Sequence, residues 1–300
     1  MKSTYFIILI ALFVIIPHVN ALNIVVTFPS LYKDIKQIAP DDNVYALAIN
    51  SDPHQYQLRP EDFEALKKAD LIISTAHTPY ELKIEELVKS GEIKAKLIEI
   101  PKINGIKILK NPETGQPNLH MPIYDPENYK VFLKFVAETL QSLNPDGDYV
   151  KRAEIIAKEV DKIVKKTKRI NTTAIGDFPF TQNAVSWLGV EVKYLVIKES
   201  NLPATPEISK IRDLIEKGKV GLVVITKPVK SKPSRYLLEL AEENGVPVLY
   251  VYSPLVNKSI LERLEDISNN YTSMNEAKKA PGFELIIALI SLFVLWRKKT

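Results

Sequence analysis

Histidine is the residue type in this chain best suited to holding a metal, and 300 residues contain four of them and no cysteine. His54 lies in Ser51-Asp52-Pro53-His54-Gln55-Tyr56, a loop braced by Pro53 and followed by the helix start Pro60-Glu61-Asp62. His120 lies in Asn118-Leu119-His120-Met121-Pro122, ahead of Asp125-Pro126, a helix cap followed by a proline suited to the first helical position. A metal ligand needs a fixed orientation, and both settings supply one. Neutral imidazole suits zinc and also iron, nickel and copper, whereas a carboxylate shifts the preference toward harder ions such as manganese. The same residues fit two solvated loop histidines, so spacing leaves both readings open. His77, in Ala76-His77-Thr78-Pro79, reads as a loop or capping residue, and His18 falls in an N-terminal apolar segment.

The elements that must position these residues alternate between apolar β-rich runs and amphipathic helical ones. Strands are predicted over 23–28, 44–49, 71–75 and 96–100, with helices over 30–39, 60–69 and 80–90 between them. This βαβ order argues for a parallel sheet covered by helices. Residues 101–124 carry six prolines and glycines without periodicity and read as an excursion. A helix follows over 128–143, and a second, over 149–170, puts Ile155, Ile156, Val160, Ile163 and Val164 on one side and lysines on the other. A second series then alternates strands over 172–175, 190–196, 220–226 and 247–252 with helices over 180–188, 205–217, 232–244 and 258–267. The predicted fold is α/β, two lobes of parallel sheet flanked by helices, joined by one long backbone helix. Its expected units are an N-terminal lobe over 22–145, a connecting helix over 146–171, a C-terminal lobe over 172–268 and a polar stalk over 269–283.

In open α/β sheets, ligands bind beyond the carboxyl ends of the strands. His54 follows one predicted strand end, Asp177 follows another through Gly176, and Ser253 follows a third. With His120, these side chains could converge on a cleft between the lobes.

Taken in order, Val25-Val26-Thr27-Phe28-Pro29-Ser30-Leu31-Tyr32, the Asp52-Pro53-His54 loop with Tyr56, Pro60 and Asp62, and Ala69-Asp70-Leu71-Ile72-Ile73 resemble the solute receptors of zinc and manganese ABC transporters. His120 ahead of Asp125-Pro126-Glu127-Asn128 is similar to that family's second ligand motif. The resemblance covers most of 22–268 and implies a divalent cation, zinc or manganese, held between the lobes as cargo for a membrane permease. It implies His54 and His120 as ligands and places a third near Asp177, before Phe178-Pro179-Phe180. The family's fourth ligand, an aspartate before Pro-Leu, is replaced by Ser253 in Ser253-Pro254-Leu255, and the usual His-rich loop is missing. A water or His77 would complete the set, although His77 has no ligand counterpart in the family. The alternative is a same-fold surface receptor or adhesin that no longer binds metal.

The ends suggest export. Lys2, the apolar run 5–17 and Val19-Asn20-Ala21 fit a signal peptide cut after Ala21. Pro281-Gly282-Phe283, the apolar run 285–296 and Arg297-Lys298-Lys299 resemble an archaeal C-terminal sorting signal, so 284–300 reads as an anchor or sorting segment on the outer face of the membrane. Asn171, Asn257 and Asn270 fit the glycosylation pattern of an exported chain.

Four basic residues and one acid lie in the end segments, which leaves the body nearly neutral and gives no footing for nucleic acid. The body reads as a monomer. A Gly-x-Ser-x-Gly elbow, a phosphate-cradling glycine loop and a His-Glu-x-x-His pair are all missing, so an enzyme is not expected, a metal-dependent hydrolase being the least remote.

Overall fold

The computed structural model describes residues 21–197 and 205–279, apart from the side chains of 205–208 and 272–279. The stretches read as a signal peptide and as a C-terminal anchor or sorting segment lie outside the described residues, save Ala21.

Two four-stranded parallel sheets form the two lobes. In the first, β1 (Asn23–Val26), β2 (Asn43–Ala46), β3 (Leu71–Ser74) and β4 (Lys96–Glu99) lie in the order β2-β1-β3-β4. In the second, β5 (Thr172–Gly176), β6 (Val190–Leu195), β7 (Leu222–Lys227) and β8 (Val248–Tyr252) repeat that order as β6-β5-β7-β8. The intervening helices are α1 (Pro29–Ile38), α2 (Pro60–Lys68) and α3 (Pro79–Lys89) in the first lobe, and α6 (Phe180–Val185), α7 (Thr205–Glu216) and α8 (Lys232–Glu243) in the second. Each order reverses direction between its two central strands, which creates a crevice at their carboxyl ends. The two crevices are therefore β1/β3 and β5/β7.

Strands buried on both faces divide their side chains by the period of two. Ile24, Val26, Leu71 and Ile73 point into one cluster, while Val25 and Ile72 point into a second beneath α2 and α3. In the other sheet, Ala174, Leu222, Val224, Leu249 and Val251 join the first cluster, and Ile175, Val223 and Ile225 pack beneath α7 and α8. The inner faces of both sheets thus share one continuous core. Its other half comes from α4 (Pro126–Leu143), α5 (Tyr149–Lys166) and α9 (Ile260–Lys279), through Phe132, Val136, Ile156, Val160, Leu264 and others.

The connection between the lobes is a packed pair, α4 against α5, with α9 laid across α5 and α1. At ~1.5 Å per residue the 18-residue α5 is about 27 Å long. It ends at Lys166, earlier than the sequence pattern predicts. The Thr167 hydroxyl donates back to the Ile163 carbonyl and also pairs with Ser268 on α9. The last helix runs to Lys279, across most of the stretch read as a polar stalk. The excursion over 101–124 contains two short 3-10 turns and one bridge between Lys110 and Pro117. Among the described residues no helix is long and apolar enough to cross a membrane.

Candidate metal centre

Three histidines meet at the β1/β3 crevice. One ligand nitrogen from each of His54, His77 and His120 lies within 4.8 Å of the others. The ring centroids are 5.6 Å apart for His54 and His77, 5.9 Å for His54 and His120, and 5.0 Å for His77 and His120. Nitrogens around a tetrahedral zinc at ~2.0–2.1 Å stand about 3.3 Å apart, so only modest contraction separates this arrangement from a closed site.

His54 follows β2 in a loop whose backbone enters left-handed geometry at Ala48 and Asn50. Asp52 accepts the His54 N–H at 3.0 Å. The far end of the loop is tied to the buried Asp62, which accepts from the hydroxyls of Tyr56 at 2.6 Å and Tyr45 at 3.2 Å and from the Arg59 N–H at 2.9 Å. Burial acts to raise the Asp62 carboxyl, but those donors outweigh it and hold its pKa below the ordinary value. Pinned at both ends, the loop presents His54 as the exposed member of the trio.

His77 follows β3, and its ring stacks on Phe28 from the neighbouring strand end at 5.6 Å. Its Nδ1 lies 2.9 Å from Thr75 Oγ1. That hydroxyl spends its proton on Glu81, 2.8 Å away, so it accepts from His77 Nδ1–H, and the lone pair falls on Nε2. Glu81 is buried at the start of α3 and also accepts from Thr27 Oγ1, Ser74 Oγ, Thr78 Oγ1 and the N–H groups of Thr75, His77 and Thr78. Burial pushes its pKa up, but His77 and this set of donors pull it below the ordinary carboxylate value. It stays ionised as an outer partner of the histidine, 3.6 Å from Nδ1.

His120 is oriented from across the cleft. The Asn118 amide donates to the Pro179 carbonyl at 2.9 Å and to Gln182 Oε1 at 2.8 Å, which fixes which end of the amide is oxygen. That oxygen accepts both the backbone N–H and Nδ1–H of His120 at 3.1 Å, leaving Nε2 as the acceptor nitrogen. Asn183 on α6 donates to the His120 carbonyl at 2.8 Å. Met121 then takes left-handed geometry, and Asp125 caps α4 by accepting from the N–H groups of Glu127 and Asn128. Burial, followed by the neighbouring His77 and His54, lowers the His120 pKa to about 3, which favours the neutral imidazole a metal requires.

Asp177, grouped with the histidines by the sequence reading, is not part of this cluster. It is buried at the β5/β7 crevice with both oxygens engaged. Oδ1 accepts from Thr226 Oγ1 at 2.7 Å, and Oδ2 accepts from the Thr226 N–H at 2.9 Å and Ser234 Oγ at 2.8 Å. Burial raises its pKa to about 6 against those bonds. Its role is to tie β5, β7 and α8 together, much as Glu81 ties β1, β3 and α3. Ser253 accepts the Leu255 N–H and donates its own backbone N–H to Lys227. Sequence reading favoured a loop or capping role for His77 and kept it, beside a water, only as a way to complete the set, yet the strand-end rule that selected His54 applies equally to a histidine three residues past β3.

Among known proteins, the family profile of ZnuA, the periplasmic component A of a zinc-uptake complex, matches residues 24–277. The manganese ABC transporter substrate-binding lipoprotein PsaA of Streptococcus mitis is 26% identical over 274 residues, covering 83% of this chain and 85% of PsaA. Among solved structures, the FpvC solute-binding protein of Pseudomonas aeruginosa in complex with Mn2+ superposes with a TM-score of 0.69 at 17% identity, covering 87% of this chain and all of that one. The laminin-binding protein of Streptococcus agalactiae, described as having adhesin and metal-transporting activity, superposes with a TM-score of 0.66 at 19% identity over 85% of this chain and all of its own.

Proposed function

Because the chain belongs to the family of ZnuA, the periplasmic component of zinc uptake, we propose that it is an extracytoplasmic receptor that captures a divalent metal ion and hands it to an ABC permease. The supporting observation is the meeting of His54, His77 and His120, each on a pinned loop at one crevice. These three residues hold the ion. A set of three neutral imidazoles favours zinc over manganese, which prefers carboxylate oxygen. The role is capture and release rather than catalysis, and the chain acts as a monomer.

Export rests on the N-terminal sequence and on the relatives, which are lipoproteins or periplasmic by description. With no cysteine to carry a lipid, attachment falls to the C-terminal segment 284–300. In that setting Asn171, Asn257 and Asn270 are open to glycosylation.

Competition titration of the purified chain with a chromophoric chelator tests the reading. One equivalent of zinc is expected to bind, and manganese at least 100-fold more weakly, in the order that nitrogen ligands impose. Equal or tighter binding of manganese would reject the zinc assignment, and no stoichiometric binding of either would reject the receptor.

A further inference from the structure

We propose that residues 109–118 form an arm by which the second lobe positions His120, with Glu113 at its tip as a positioning residue that never touches the ion. The arm rests on the metal-receptor reading and gives release a direction: lobes that part draw His120 away from His54 and His77.

Within the aperiodic excursion over 101–124, residues 109–118 close on themselves as a hairpin. The Asn118 N–H donates to the Leu109 carbonyl at 2.7 Å, the Asn111 N–H donates to the Gln116 carbonyl at 2.8 Å, and Lys110 bridges to Pro117. The hairpin is rooted on α4, where the Asn128 amide accepts the Lys107 N–H and donates to the Lys107 carbonyl, each at 2.8 Å.

Among the described residues, every hydrogen bond that leaves 109–118 ends on the second lobe, apart from the two to His120. At the tip, Glu113 Oε1 accepts the Leu195 N–H at 3.0 Å. Leu195 closes β6, an edge strand. The next N–H, of Val196, turns inward to the Gly176 carbonyl on β5, so the Leu195 N–H faces the open edge and Glu113 covers it. Halfway along, Gln182 Nε2 on α6 donates to the Lys110 carbonyl at 2.9 Å. At the base, the buried Asn118 amide donates to the Pro179 carbonyl and to Gln182 Oε1.

That base also holds a proposed ligand, since Asn118 Oδ1 accepts both the backbone N–H and Nδ1–H of His120. His54 and His77 are held from within the first lobe, the one by Asp52, the other by Thr75 and Glu81. All three histidines belong to first-lobe sequence, yet two are fixed to that lobe and the third to its neighbour. A relative motion of the lobes therefore acts on the distance of His120 from the other two.

The chain has no cysteine, so cysteines introduced in pairs carry spin labels at chosen positions alone. Thr114→Cys at the tip is paired with Lys193→Cys on β6, or with Glu92→Cys in the first lobe; all three positions are exposed. Distances between labels are measured on the full chain in detergent, with one equivalent of zinc and after a chelator removes it. The distance from the tip to β6 should hold, while that from the tip to the first lobe should shift by more than about 2 Å. In parallel, Glu113→Ala should weaken zinc by about 2–10-fold, the worth of one hydrogen bond, and Glu113→Gln, which keeps an acceptor for the Leu195 N–H, should restore it. With zinc bound, a tip that moves against β6, a tip that holds its distance to the first lobe, or an alanine variant with parental affinity would each overturn the arm and leave the receptor reading intact. So would a glutamine variant as weak as the alanine one. A parent chain that binds no zinc would overturn the receptor reading and the arm with it.

Discussion

Thr75 Oγ1 and His77 Nδ1 stand 2.9 Å apart, and the same hydroxyl reaches both oxygens of Glu81 at 2.8 Å. A carboxylate, a hydroxyl and an imidazole thus form a chain that sets the tautomer of a proposed ligand. Outer partners of this kind are worth about 10–100-fold in metal affinity. Thr75→Val should cost that much in a zinc competition titration, and Thr75→Ser should restore most of it. Equal affinity for the valine variant and the parent would separate His77 from the metal.

His77 and Asp177 give opposite expectations. His77→Ala should weaken zinc as severely as His54→Ala or His120→Ala, beyond the roughly 100-fold upper end for outer-shell changes. Asp177→Ala leaves the Thr226 N–H buried without its acceptor, which costs about 1–3 kcal/mol of stability, seen as a lower Tm, while zinc affinity stays unchanged. Loss of zinc binding in a folded Asp177→Ala protein would return that aspartate to the ligand set.

Asn118, anchored to Pro179 and Gln182 of the second lobe, and Asn183 of that lobe hold His120. Removing either amide should lower zinc affinity by about 10–100-fold with little change in the other two histidines' contributions. Double-variant cycles with His120→Ala measure the coupling. Additive losses would mean that the second lobe does not act through His120.

Asp34 offers a pH test remote from the metal. It is buried on α1 against the start of α9, where Oδ1 accepts from the Tyr129 hydroxyl at 2.6 Å and the Ile260 N–H at 2.9 Å. Burial raises its pKa to about 7, outweighing those two bonds and the nearby Arg263. A carboxyl whose folded pKa is raised stabilises fully below its unfolded value near 3.8 and loses that contribution as pH climbs through about 7. Asp34→Asn keeps an acceptor and does not titrate. The metal-free parent should therefore lose Tm relative to the variant between pH 4 and 7, by an amount on the order of a few kcal/mol at most, and hold a constant gap above pH 8. A gap independent of pH would mean that Asp34 folds with an ordinary pKa.

Much of this was legible in the sequence. Alternating apolar runs gave two parallel sheets because strands covered on both faces must be apolar throughout, as Leu71-Ile72-Ile73 is. The Pro53 and Asp125-Pro126 signals marked two of the three histidine loops because local bracing is encoded locally. His77 was ranked below the other two because what brings it into the cluster is not local. Its neighbours Thr75 and Glu81 look like a strand end and a helix cap, and only the pairing of β1 with β3 brings Thr27 and Phe28 beside them. Asp177 was grouped with the histidines for the converse reason. A carboxylate at a strand end fits a site by position, but the closure of β5 on β7 supplies Thr226 and turns the carboxylate inward. The end of α5 at Lys166 likewise depends on a contact with Ser268, about a hundred residues away.

The ligand count can be read directly from the bound ion. X-ray absorption at the zinc edge of the loaded chain should resolve three imidazole nitrogens at about 2.0–2.1 Å and one further light ligand. A shell containing one or two imidazoles, with side-chain carboxylates making up the rest, would contradict the three-histidine centre.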